Sequence, residues 1–109
     1  MNQMTHQINP DSLRRLQPLG SLNEADLRHL CHCAELVRLQ PGEILDMAEQ
    51  LPRFLDYLIS GEVKLSQGQH CRMRIHQDNS QARRPLKDSL PQYERISART
   101  SCAVLRIDQ

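Results

Sequence analysis

Asp56-Tyr57-Leu58-Ile59-Ser60-Gly61-Glu62-Val63-Lys64-Leu65-Ser66 carries two β signatures, one on each side of a turn. Tyr57 to Ile59 is an unbroken apolar run, whereas Glu62 to Ser66 alternates polar with apolar. A side-chain period of two puts Val63 and Leu65 on one face of a strand, and Glu62, Lys64 and Ser66 on the other, toward water. Ser60-Gly61 supplies the turn, because glycine reaches positive φ without a Cβ clash. The stretch reads as a β-hairpin. Arg72-Met73-Arg74-Ile75-His76 then alternates again, with Met73 and Ile75 inward.

Upstream, Pro41-Gly42 marks a tight turn between two further strands, Glu35–Leu39 and Ile44–Met47. The chain before them is helical. Ser21-Leu22-Asn23-Glu24 reads as a capping box, with Ser21 at the N-cap and Glu24 at the third helical position. Leu27, Leu30, Cys31 and Ala34 follow at i, i+3, i+4 and i+7, one apolar stripe. An earlier short helix is expected from Pro10 to about Gln17, capped by Asn9, stapled by Ile8 and Leu13, and stopped by Pro18 and Gly20. Downstream, residues 77–92 show no period and contain Pro85 and Pro91, so an irregular loop is expected there. Strands return over Arg95 to Asp108, with Ile96, Ala98, Ala103, Val104, Leu105 and Ile107 as their apolar residues. Helices over about 10–34 and short strands over about 35–108 give a single α+β domain spanning residues 1–109, an antiparallel β-roll or jelly-roll. Its expected core includes Leu27, Leu30, Leu58, Val63, Leu65 and Leu105.

Composition narrows the function. The chain has 109 residues, 39% hydrophobic and 25% charged, which suits one modest core. A net charge of +1 argues against a strongly basic nucleic-acid binder, and 3% aromatics with no Trp argue against a base-stacking surface. No apolar run approaches the roughly 18 residues of a membrane span, and Met1 to Ser12 is too polar for a signal peptide. Cys31, Cys33, Cys71 and Cys102 are unevenly spaced, so free thiols acting as small hydrophobes in a cytoplasmic protein are expected.

Three stretches together resemble the cyclic nucleotide-binding domain, the sensor β-roll of catabolite-activator-type bacterial regulators, cyclic-nucleotide-dependent kinases and gated channels. They are Ser21 to Leu27 with Leu30, then Leu39-Gln40-Pro41-Gly42-Glu43-Ile44-Leu45, then Asp56 to Leu65; Ser97 to Asp108 is similar to the last strands of that roll. The resemblance covers about residues 10–108. It implies a regulatory domain rather than an enzyme. In the family a Gly-Glu pair opens a short helix whose Glu takes the ribose hydroxyl, and an Arg-Ser or Arg-Thr pair follows to hold the cyclic phosphate. In this sequence Ala82 to Tyr93 contains no Gly-Glu pair. Counted back from Ala98, Gln92 falls at the position of the phosphate arginine and Tyr93 at that of the small hydroxyl residue. Family members also continue into a helix that closes over the base, whereas this sequence ends at Gln109. The expectation is a signal-relay module with a degenerate cassette, working within a longer protein or through other domains or a homodimer partner, without direct contact to nucleic acid or membrane.

Two alternatives stay open. Arg83, Arg84 or Arg95 could replace the usual arginine in a true sensor of a cyclic nucleotide or cyclic dinucleotide, with Gln92 and Tyr93 beside them. His29 and Cys33 share a helical face at i and i+4, and His70-Cys71 could complete a metal-binding switch if the hairpin end folded onto that helix. Four scattered cysteines do not have the spacing of an iron–sulfur site. No nucleophile–base spacing, phosphate loop or HExxH-type motif is present, and Asp46, Glu49 and Asp56 read as surface acids.

Overall fold

The computed structural model describes residues 13–17, 19–47, 54–90 and 92–108. Helix α1 (Glu24–Cys33) runs directly into strand β1 (Ala34–Leu39). Then come β2 (Ile44–Met47), β3 (Phe54–Ser60), β4 (Glu62–Gln67), β5 (His70–His76), β6 (Arg95–Ala98) and β7 (Cys102–Asp108). All pairings are antiparallel. One sheet has the order β1-β7-β3 and the other β2-β6-β4-β5. The α+β roll expected from the sequence is the architecture found.

Both faces of the first sheet are covered, which explains its apolar runs. Leu58, Cys102 and Val104 point toward the second sheet and pack on Val63, Leu65, Ile75 and Ile96. Tyr57, Leu105 and Ile107 point the other way, onto Leu13, Leu16, Leu19 and Leu27. Leu30, Cys31 and Ala34 pack partly buried against that second cluster, so the helical stripe does what its spacing predicts. Leu27, Leu58, Val63, Leu65 and Leu105 are all buried.

Several local expectations change. The expected hairpin does not exist: β3 pairs with β7, and β4 pairs with β5 and β6. Alternation marks a strand but does not name its partner. The Ser60-Gly61 turn therefore carries the chain from one sheet to the other, and the true hairpin is β4–β5, turned by Gly68-Gln69. Ser66 is buried, because a register slip between Leu65 and Ser66 breaks the alternation. The helix cap is Asn23 rather than Ser21: the Asp26 N–H donates to Asn23 Oδ1 at 2.8 Å. Ser21 is taken up by a 3-10 turn over Leu19–Ser21, which leaves Asn23 as the last extended residue before the helix. Of the expected first helix, Ile8, Asn9, Pro10 and Pro18 lie outside the described residues, and Arg14 to Gln17 form turns. The expected loop holds two short helical pieces, a 3-10 turn over Ser80–Arg83 and a helix over Leu86–Ser89, because Ala82 and Leu86 are apolar anchors for the core. Of the cysteines, Cys102 is buried and Cys31 half-buried, but Cys33 and Cys71 are exposed, all four as free thiols.

Two crossings between the sheets meet at one corner. The Arg99 N–H donates to the Glu62 carbonyl at 2.8 Å, and the Glu62 N–H donates to Thr100 Oγ1 at 3.0 Å. The Arg99 guanidinium lies 3.1 Å from the Glu62 carboxylate. Gly61 sits beneath this contact at φ +89°. A Cβ there would collide with the Ser101 carbonyl oxygen and come within 2.9 Å of Cys102 Sγ. Gly42 has the same φ, +90°, but a Cβ there meets nothing within 4 Å. Urea unfolding should separate the two effects. Gly42→Ala should cost about 1 kcal/mol of backbone strain, and Gly61→Val about 3 kcal/mol or more, since backbone must also move. Equal losses would remove the corner contact as a determinant of the fold.

Candidate functional site

Alternation along β7 places Arg106 on the same face as Cys102 and Val104, toward the second sheet. Asp56 stands directly opposite it on β3. Arg106 Nε donates to Asp56 Oδ1 at 2.8 Å and Nη2 donates to Oδ2 at 3.1 Å, a two-pronged ion pair. The same Nη2 donates to the Leu45 carbonyl of β2 at 3.2 Å, and the guanidinium lies 4.3 Å from the centre of the Phe54 ring. Across the gap, Tyr93 donates its phenol hydrogen to Asp46 Oδ2. Arg106 thus clasps the two sheets together, from Asp56 in its own sheet to the Leu45 carbonyl in the other, with the Asp46–Tyr93 pair electrostatically coupled alongside.

The clasp is largely shielded from solvent and its groups are hydrogen-bonded to one another. The Asp56 and Arg106 side chains are 9% and 19% exposed. Hydrogen bonding to Asp56 holds the Arg106 guanidinium above its ordinary pKa against the opposing pull of burial. Burial, then the hydrogen bond to Asp46, pushes the Tyr93 phenol well up. Tyr57, on the other face of the sheet, donates to the Gln17 carbonyl at 2.8 Å. Burial and then the charge of Asp88 push its pKa up to about 12.

The residues singled out in the sequence fall in different places. Gln92 is exposed, and Tyr93 is buried in the inter-sheet core beside Leu58, Ala82, Leu86 and Ile96. Arg95 is half-buried on β6, in register with Met47 and Ser66. Arg83 and Arg84 are exposed at the end of the 3-10 turn, where both line a cleft of about 220 Å³ with Gln17 and Ser80. The structure therefore joins Arg83 to Arg84 but leaves Arg95, Gln92 and Tyr93 outside that cleft. His29 Nε2 lies 3.9 Å from Cys33 Sγ on the exposed face of α1. His70 and Cys71 stand at the start of β5, in the other sheet. Among the described residues no three His, Cys, Asp or Glu side chains are grouped to hold a metal ion.

Asp56 and Asp46 are not the surface acids that the sequence suggested, since partners from distant strands draw them inward; Glu49 lies outside the described residues. Arg106 was missed altogether. Its signal was available: it shares parity with Cys102 and Val104 in a strand whose every second residue is core. Among the described residues no helix is long and apolar enough to cross a membrane.

No family model and no curated protein sequence matches the chain. Solved structures do. A Geobacter metallireducens protein described as cyclic nucleotide-binding matches with a TM-score of 0.72 and 17% identity, over 93% of this chain and 76% of its own. The sensor domain of the transcriptional regulator DNR from Pseudomonas aeruginosa matches with a TM-score of 0.71 and 21% identity, over 92% of this chain and 74% of its own. A third match, at TM-score 0.65 and 11% identity, is the regulatory subunit of a cAMP-independent protein kinase A from Trypanosoma brucei, in a triple mutant bound to cAMP in the A site. It covers 88% of this chain, which spans only 37% of that subunit. The chain has the cyclic nucleotide-binding fold, as the sequence resemblance implied.

Two measurements check the clasp. Arg106→Met leaves the Asp56 carboxylate buried without its cation and should cost about 3–5 kcal/mol, whereas Arg106→Met with Asp56→Leu should recover most of that loss. The second uses the phenols, the only two tyrosines in a chain without Trp. Both folded-state pKa values lie above the ordinary value near 10, so their stabilising share is full below about pH 10 and is lost as pH rises, for Tyr57 through about 12. Near-ultraviolet phenolate absorbance should stay flat through about pH 10 and rise only with unfolding. Half-ionisation near pH 10 in the folded protein would show that neither phenol is enclosed.

Proposed function

We propose that this chain is a regulatory module, not an enzyme, which relays signals through protein contacts and does not sense cyclic AMP through a phosphate cassette. Its partners would be other domains or a second copy, in a reducing compartment that suits four free thiols. One observation carries the reading: the interior is already occupied. Tyr93, Leu86 and Ala82 are packed into the inter-sheet core, and Gln92, at the position matched to the phosphate arginine, is exposed and uncharged.

Electrostatics supports the same conclusion. Enclosing a phosphate without a paired cation costs several kcal/mol. Arg106 is the cation between the sheets, and it is bound on two prongs by Asp56. Asp46 would face an incoming phosphate as a like charge. The Trypanosoma brucei subunit fits this picture: it is cAMP-independent, and the mutant bound to cAMP carries, among three changes, a Thr replaced by Arg.

Calorimetry with cyclic AMP and cyclic GMP should detect no binding tighter than about 10 μM. Tighter binding that disappears in Arg84→Ala would instead establish a sensor with a displaced arginine.

A further inference from the structure

We infer a second site outside the roll, one that takes a multiply charged phosphate chain such as pyrophosphate or a nucleoside polyphosphate. Residues 14–17, 20 and 21 and the 3-10 turn at Ser80–Arg83 border a cleft of about 690 Å³, lined by Arg14, Arg15, Gln17, Ser21 and Arg83 among others. Its walls are joined at one point, where the Gln17 N–H donates to the Arg83 carbonyl at 2.6 Å. Two smaller clefts share Arg83 with it: one of about 280 Å³ that includes Arg15 and Asp78, and one of about 220 Å³ that includes Arg84. Four arginines thus converge on one side of a chain whose net charge is only +1.

Three of those guanidinium groups are uncommitted. The side chains of Arg15, Arg83 and Arg84 are exposed and have no hydrogen-bond or ion-pair partner among the described residues. Among the described residues that line the largest and smallest of the three clefts there is no carboxylate. Asp78, in the third, lies 3.4 Å from His76. Arg15, Arg83 and Arg84, exposed and unpaired among the described residues, raise the local potential and concentrate anions. The planar guanidinium fork fits phosphate oxygens two at a time, so several forks favour several phosphates over one. A cyclic monophosphate carries a single charge and leaves most of these forks unmatched. The cleft volume is in the range of small-molecule sites. Among the described residues that line the three clefts none is aromatic, so recognition falls on the phosphate chain rather than on a base.

The test is calorimetry on the full chain with pyrophosphate and with ATP, both free of divalent metal and at low salt. Binding of either supports the site. Equal affinities identify the phosphate chain alone as the ligand, and tighter ATP adds the nucleoside to it. Arg15→Gln and Arg83→Gln should each weaken binding about tenfold, as loss of a charge-assisted fork requires. Arg72→Gln, on exposed β5 in the other sheet, should change it less than about twofold. All three variants should melt with the parent, since their side chains are exposed. Binding of neither ligand at millimolar concentration overturns the proposal, as does an equal loss in Arg72→Gln. Cyclic AMP in the same titration keeps the two readings apart. Silence toward all three ligands overturns this site alone, and tight cyclic AMP binding with no binding of pyrophosphate or ATP overturns both.

Discussion

The roll depends on one close approach, that of the Gly61 backbone to the Ser101 carbonyl and Cys102. There the passage from β3 to β4 lies against the passage from β6 to β7, and each crossing satisfies the other's polar groups. The Glu62 carbonyl receives the Arg99 N–H, and Thr100 Oγ1 accepts the Glu62 N–H. On the other side of Gly61, its own N–H donates to the Gln77 side chain at 2.7 Å while its carbonyl receives the Gln77 N–H at 3.0 Å. Peptide groups that leave the ladders as strands change sheets need partners, and here the two coinciding crossings supply them to each other.

Once the sheets face each other, their contact is mostly apolar, and the polar clasp at Arg106 and Asp56 is its exception. A buried ion pair of this kind adds little net stability, because desolvation offsets much of the attraction. Its effect is on register. Two prongs to Asp56 and a third bond to the Leu45 carbonyl fix β7, β3 and β2 relative to one another. The same arrangement commits the Arg106 cation internally, and Asp46 adds a negative charge beside Tyr93.

Cationic capacity is instead found on the surface. The 3-10 turn at Ser80–Arg83 is anchored by Ala82 in the core, and that anchoring turns Arg83 and Arg84 outward, toward Arg15. The segment between β5 and β6 thus combines a packed apolar side with an exposed basic one. Its Ala82, Leu86 and Tyr93 side chains go in, and Arg83 and Arg84 stay out.

Much of this was legible in the residues. Period-two runs located β4 and β5, short apolar stretches located β2 and β7, the i, i+3, i+4, i+7 stripe located α1, Pro41-Gly42 marked a turn, and positive φ at Gly61 followed from Ser-Gly. These are local properties, set by side-chain period and by the absence of a Cβ. Partners were not legible. Nothing within Asp56 to Ser66 says that β3 joins β7 while β4 joins β5 and β6, or that Asp56 meets an arginine 50 positions away. Nor does the polar stretch at 77–92 announce that Ala82 and Leu86 will seat two helical turns on the core. The sequence determined which residues prefer strand, helix or turn, because those preferences act between neighbours in the chain. Tertiary structure alone decided which strands pair, which charges are buried and where the arginines converge, because those outcomes depend on contacts that exist only after distant segments have packed together.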